Sequence, residues 1–171
     1  MEKRATNAVN PRVQALLKRY AKSWDAWQET VAGLRDADYL TPNISKQWNV
    51  KDVLGHLAAY MNLMARHLRT YNKRKRLASP RAPSYSYFNR REAARRKNVP
   101  IVEVRAELES GYTELMKLLA ELKDDDLKKE FPSQWWNSPG KVTLNGYLRE
   151  EANHIQFHVD EVRKWREKNG L

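Results

Sequence analysis

Apolar residues recur along most of this 171-residue chain at helical spacing, and that pattern restricts it to packed helices. Val13, Leu17, Tyr20, Trp24, Trp27, Val31 and Leu34 follow steps of four and three, forming one wide aromatic stripe on a first helix. Gly33 and Thr41-Pro42-Asn43 end that helix and turn the chain. A second helix starts near Asn49, where Asn49 and Asp52 have the spacing of a capping box. Its core face is Val53, Leu54, Leu57, Met61, Met64 and Leu68, and the pattern fades into Asn72-Lys73-Arg74-Lys75-Arg76. Pro100 suits the first turn of a third helix, with Val104, Leu108, Tyr112, Leu115, Leu119 and Leu122 inward and Asp124-Asp125-Asp126 at its end. After a loop with Pro132, Trp135, Trp136, Pro139 and Gly140, Thr143 caps a last helix. That helix turns Leu144, Tyr147, Leu148, Ile155, Val159, Val162 and Trp165 inward, and Gly170 stops it. The expectation is an all-α fold, a four-helix bundle with a long crossover between the second and third helices. Residues 1–171 read as a single domain. The crossover, about 72–99, is broken by Pro80 and Pro83 and has room for a short helix over Phe88–Arg96.

The charge is unevenly placed. The formal net charge is +11, and residues 66–97 alone supply it, with twelve basic side chains against Glu92. The remainder is neutral, so the chain reads as a neutral scaffold with one basic insert. The chain has no cysteine, which removes disulfides, thiolate metal sites and a cysteine nucleophile, and fits a cytoplasmic setting. No run of about 18 uncharged apolar residues exists to span a membrane, and no apolar signal region follows Met1.

Chemistry concentrates in the histidines. His154 and His158 are one turn apart, a spacing that lets both imidazoles reach one metal ion. Two histidines so spaced also occur as a surface pair or as partners in core hydrogen bonds. On a helical wheel the pair lies at the edge of the apolar stripe, and His56 borders the stripe of the second helix, about 60° from Val53. Three histidines at the rim of one bundle interior could converge, and three such ligands with an open fourth position describe a catalytic zinc site. His67 is eleven residues from His56, about 16 Å along the helix, and reads as a polar residue near a helix end. Glu161 shares the face of His154 and His158. It is a solvated rim carboxylate, a partner to an imidazole N–H, or a fourth ligand.

Trp48-Asn49-Val50-Lys51-Asp52-Val53-Leu54-Gly55-His56-Leu57 resembles the start of the second helix in the DinB-like superfamily. His154-Ile155-Gln156-Phe157-His158, with Trp165 beyond it, resembles that family's last helix, and Phe88-Asn89 resembles a recurrent feature before the third. The resemblance covers nearly the whole chain in matching order. It implies a four-helix bundle holding a divalent metal, zinc or nickel, on His56, His154 and His158. It also implies a small-molecule substrate and a metal-dependent hydrolase, or a transferase using a low-molecular-weight thiol, of detoxification or stress type. The intact triad favours this metal-using branch over the colibactin-resistance branch. Asp160-Glu161 stands where many relatives have Gly-Gln, a departure from the thiol-transferase pattern.

Around such a site, Tyr60 offers a pocket hydroxyl or ordinary packing, Leu63 an apolar wall or packing, and Asn89 a further lining group. Trp135 and Trp136 either cover the site or close the bundle end. The alternative function is an anion- or nucleic-acid-binding module on the 66–97 segment, with a structural or vestigial metal site. Arg74, Lys75, Arg76, Arg90, Arg91, Arg95 and Arg96 are its candidate phosphate contacts, with neighbouring aromatics to stack on bases. A third expectation joins the two: the basic crossover lines the pocket mouth and steers an anionic substrate inward. The aromatic stripes also permit a homodimer.

Overall fold

The computed structural model describes residues 10–42, 44, 48–77, 82–132 and 140–171. The helices are α1 (Pro11–Val31), α2 (Asp36–Leu40), α3 (Val50–Arg74), α4 (Tyr85–Arg96), α5 (Ile101–Ala120) and α6 (Leu144–Asn169). Two three-residue strands, β1 (Glu130–Pro132) and β2 (Lys141–Thr143), pair antiparallel before α6. The four long helices α1, α3, α5 and α6 form the bundle, and α3 connects to α5 through the crossover that carries α4.

Helix α3 is the central element. Its six expected core residues are all buried, and so are Ala58, Ala59, Tyr60, Leu63, Ala65 and Tyr71, so apolar contact surrounds most of it. Its start is fixed as expected. The Asp52 N–H donates to Asn49 Oδ1 at 2.8 Å, and the Asn49 N–H donates to Asp52 Oδ2 at 3.0 Å. Its far end stops at Lys75, which takes a left-handed conformation with φ 52°. Helix α3 packs mainly on α5, and α1 mainly on α6. Gly111 of α5 permits the first pairing, since a Cβ there would lie 3.0 Å from Met61 Cβ. In the second, the Tyr20 hydroxyl donates to the Leu148 carbonyl at 2.9 Å. Trp24 and Tyr112, stacked at 4.2 Å, tie α1 to α5.

Several elements differ from expectation. Leu16 is buried, whereas Leu17 and Trp24 are only partly so, because the α1 stripe faces two neighbours. α1 ends at Val31, and the short α2 follows, its start held by Arg35 and Asp38. The α4 helix begins three residues earlier than expected, because Ser84 caps it through the Tyr87 N–H. Asp124 does more than end a helix. Its carboxylate accepts from the N–H groups of Arg12 and Val13, closing the start of α1. The β1–β2 pair lies in a stretch expected to be loop, and its strands are too short for a visible alternation.

The basic segment is not a free insert. Arg96 is buried, with 5% exposure, and donates to both Glu92 and Glu107 at 2.6 to 2.9 Å. Arg95 reaches Glu107 at 2.6 Å, and Arg91 reaches Glu92 at 2.9 Å. Thus Glu92 and Glu107 clamp α4 onto α3 and α5. Gly55 makes room for this clamp, since a Cβ there would lie 2.9 Å from Arg96 Cδ. Replacing Arg96 by Met keeps the volume and leaves Glu92 and Glu107 without their buried cation, with only the exposed Arg95 still near both. The expected loss is about 2 kcal/mol in denaturant unfolding, less than for a fully buried pair because both glutamates keep some solvent contact. Arg90→Met, at an exposed position, is expected to stay within about 0.5 kcal/mol of the parent.

Candidate metal centre

The capped start of α3 sets the rotation of its first two turns, which points His56 at α6. There His154 Nε2 lies 3.0 Å from His56 Nε2 and 3.0 Å from His158 Nε2. One ligand atom from each of the three imidazoles lies within 4.8 Å of the others. His56 and His158 are buried and His154 is partly exposed. The three histidines that could converge on sequence grounds therefore meet.

The donor set fits a divalent cation. On His158, Nδ1 lies 2.7 Å from Glu161 Oε2, and an ionised carboxylate only accepts. Nδ1 then carries the proton and Nε2 offers a lone pair. The single Nε2 of His154 has two imidazole nitrogens at 3.0 Å, yet one ring nitrogen makes only one linear hydrogen bond. Neutral imidazoles alone leave this cluster short of a proton partner, whereas an ion accepting three lone pairs would use all of them. Burial first, then the neighbouring imidazoles, depress the His56 pKa well below its ordinary value. Burial and His154 push that of His158 down to about 3. Both rings are thus neutral at physiological pH, as metal ligation requires. Burial raises the Glu161 pKa, against the opposing pull of His154 and Lys164.

A pocket of about 440 Å³ opens onto the three rings. Tyr60 lines it, with its ring 4.6 Å from that of His56 and its hydroxyl donating to Asn89 Oδ1 at 3.2 Å. Asn89 is therefore placed by α4, across from α3. Glu161 holds the outer nitrogen of His158 rather than joining the cluster as a fourth ligand. Leu63 is not in this pocket. It packs with Ala59, Tyr60 and Phe88 on the other side of α4, by a groove that Arg91 and Arg95 border. Trp135 and Trp136 lie outside the described residues.

Five lining residues had not been assigned to the site: Trp48, Tyr85, Glu150, Glu151 and Phe157. Trp48 lies over His56 at 4.9 Å between ring centres. The signal for the α6 residues was the spacing 150, 151, 154, 157, 158 and 161, which is one helical stripe. The described residues do not form the expected basic mouth. Among the described lining residues none is Lys or Arg. Arg96 is a correction to the candidate anion contacts, since it is buried between two carboxylates. Arg91, Arg95 and Lys75 are exposed but paired, Lys75 with Asp126 at 3.2 Å.

A family model described as the mycothiol maleylpyruvate isomerase N-terminal domain matches residues 20–156. The chain belongs to that family. With it, the chain is a member of the DinB-like superfamily. No curated protein matches the sequence. Solved structures similar in fold include the following three. The mycothiol-dependent maleylpyruvate isomerase aligns at TM-score 0.73 and 13% identity, over 88% of this chain and 60% of that one. The chain thus spans about 60% of that isomerase's length. YfiT from Bacillus subtilis, a probable metal-dependent hydrolase with an unusual four-helix bundle topology, aligns at 0.71 and 16% identity, over 99% and 94%. The colibactin self-resistance protein ClbS, solved with a double-stranded DNA, aligns at 0.71 and 13% identity, over 89% and 93%. Among the described residues of this DinB-like chain, no helix is long and apolar enough to cross a membrane.

His67, expected as a polar residue near a helix end, lies inside the bundle. It is fully buried, and its Nδ1 lies 2.7 Å from the Tyr147 hydroxyl. Burial, with Arg66 adding to it, pushes its pKa down to about 3. Unfolded histidine titrates near 6.5, so below that pH the unfolded chain binds the extra proton. The stability contributed by neutral His67 is complete above about pH 6.5 and is lost as pH falls towards 3. Between pH 7 and 5 this residue's share is about 2 kcal/mol. Urea unfolding at the two pH values should show His67→Gln losing less stability on acidification than the parent, by up to that amount.

Proposed function

We propose that this chain is a divalent-metal-dependent enzyme acting on a small molecule in the pocket above His56, His154 and His158. The observation that carries the reading is the meeting of three buried or half-buried imidazoles at hydrogen-bond distances that they cannot all satisfy among themselves. When bound there, zinc or nickel supplies Lewis acidity, polarising a substrate oxygen or lowering the pKa of a water or thiol. Glu161 fixes the His158 tautomer, a support that commonly strengthens metal affinity. Trp48 and Tyr60 wall off the rings and limit water, and Asn89 with the Tyr60 hydroxyl orients a polar group of the substrate.

Two reactions fit these residues: hydrolysis, and transfer to a low-molecular-weight thiol. With no cysteine in the chain, any thiol enters as a cosubstrate. The names of the similar proteins support a thiol dependence in one case, a mycothiol-dependent isomerase, and hydrolysis in another, a probable metal-dependent hydrolase. Turnover in water alone identifies the hydrolase, and turnover only with added thiol identifies the transferase. The alternative reading, a nucleic-acid-binding module, is supported by the exposed Arg74, Arg76 and Arg90. It is weakened by the carboxylate partners of Arg91, Arg95 and Arg96.

Protein purified without chelator is expected to carry about one zinc or nickel ion per chain. His56→Ala, His154→Ala and His158→Ala should each lower metal content at least about tenfold, and Glu161→Ala should weaken affinity about tenfold. Elemental analysis of the five proteins checks this, and negligible metal in all of them would contradict it.

A further inference from the structure

The net charge of the chain and the charge of its pocket have opposite signs. The sequence carries +11, yet the described residues around the three imidazoles include Glu150, Glu151 and Glu161 and no Lys or Arg. Among the described residues, Arg96 and Lys164 act on the site from outside it. Arg96 repels a proton on His56, but its guanidinium is committed to Glu92 and Glu107. Lys164 is felt by Glu161 and is not among the lining residues. Neutral imidazoles with a divalent ion bring two positive charges against three carboxylates, so the loaded pocket stays net negative.

The apolar part of the lining is aromatic. Trp48 and Tyr60 flank the imidazoles. Phe157 and Tyr85 stand at the mouth with 57% and 40% exposure, unusual for side chains of this size. Glu150 is exposed beside them, on the same α6 stripe as Phe157. Ring faces near carboxylates attract cations through the ring quadrupole and through Coulomb attraction, and both repel an anion.

We propose that the substrate of this pocket is a cation: a small molecule with an ammonium or similar positive group attached to an aromatic or aliphatic body. The rings hold the body and screen it from water. Glu150, exposed at the mouth, faces the charged group, and Glu151, 3.6 Å from His154 Nδ1, adds its charge from the imidazole end, where the neutral, reacting part of the molecule lies. A carboxylate- or phosphate-bearing substrate meets Glu150 on the way in and, deeper, the charges of Glu151 and Glu161, which lie against His154 and His158. This proposal rests on the reading of the pocket as the reaction site.

Benzyltrimethylammonium, benzyl alcohol and phenylacetate share one ring and differ in charge, and the quaternary ammonium has no lone pair for a metal. Their affinities are measured by titration calorimetry on the full chain, metal-loaded and chelator-treated, at low and high salt. The ammonium is expected to bind tightest in both forms, at least about tenfold tighter than phenylacetate. The gap should narrow severalfold in Glu150→Gln and at high salt, since that carboxylate is exposed. Glu150→Gln keeps the buried part of the site intact. Glu151→Gln, at a buried position, is the second variant. Equal or tighter binding of phenylacetate in either form overturns the proposal, as does failure of all three compounds to bind. The charge order and the metal content are separate readouts. Loss of the order with metal retained removes this inference alone, and the order persisting in a chain that never holds metal removes only the metal reading.

Discussion

His56 on α3 and His154 on α6 meet through their Nε2 atoms at 3.0 Å, and this contact joins the two main helix pairs of the bundle beside the Trp24–Tyr112 stack and the His67–Tyr147 contact. One pair is α3 against α5, drawn close at Gly111. The other is α1 against α6, tied by the Tyr20 hydroxyl on the Leu148 carbonyl and by Ser23 on the Ala152 carbonyl. A rotation of α3 by one residue, about 100°, would carry His56 away from the seam. The Asn49–Asp52 capping box at its start and the apolar surroundings along its length oppose such a rotation. The centre is therefore a product of rigid elements, which is what an imidazole cluster with 3 Å spacing requires.

Charge in this molecule is segregated by structure. The basic run that dominates the sequence lies on the end of α3 and on α4. Three of its arginines meet Glu92 and Glu107, and Lys75 meets Asp126. That network holds α4 against the bundle, and α4 in turn supplies Asn89 and Tyr85 to the pocket. Glu150, Glu151 and Glu161 of α6 line the pocket. The basic segment thus acts on the site through the position of a helix, and the field inside the pocket has the opposite sign.

Much of this was readable in advance. The 4-3 spacing located the four long helices to within a few residues, because a bundle helix must bury one continuous stripe. The capping box and the Thr143 cap fixed two starts. The wheel positions of His56, His154 and His158 put all three at the bundle rim, where convergence was geometrically open. Pairing partners across the bundle were not readable. Arg96 and Glu107 are eleven residues apart in sequence on different helices, and only the packing of α4 brings them together. For the same reason Leu63 left the pocket and Glu151 entered it: each depends on which neighbour covers that side of its helix. The β1–β2 pair was hidden because three-residue strands carry no periodicity.

The central claim is that two helices supply three imidazole nitrogens to one cation. X-ray absorption at the zinc or nickel edge of the loaded chain reads this directly, since imidazole ligands add a characteristic multiple-scattering pattern. The account predicts scattering fitted by three imidazoles with one further light-atom ligand, falling to two imidazoles in His154→Ala reloaded at high metal concentration. A spectrum of oxygen ligands alone, or one unchanged by loss of His154, would contradict it.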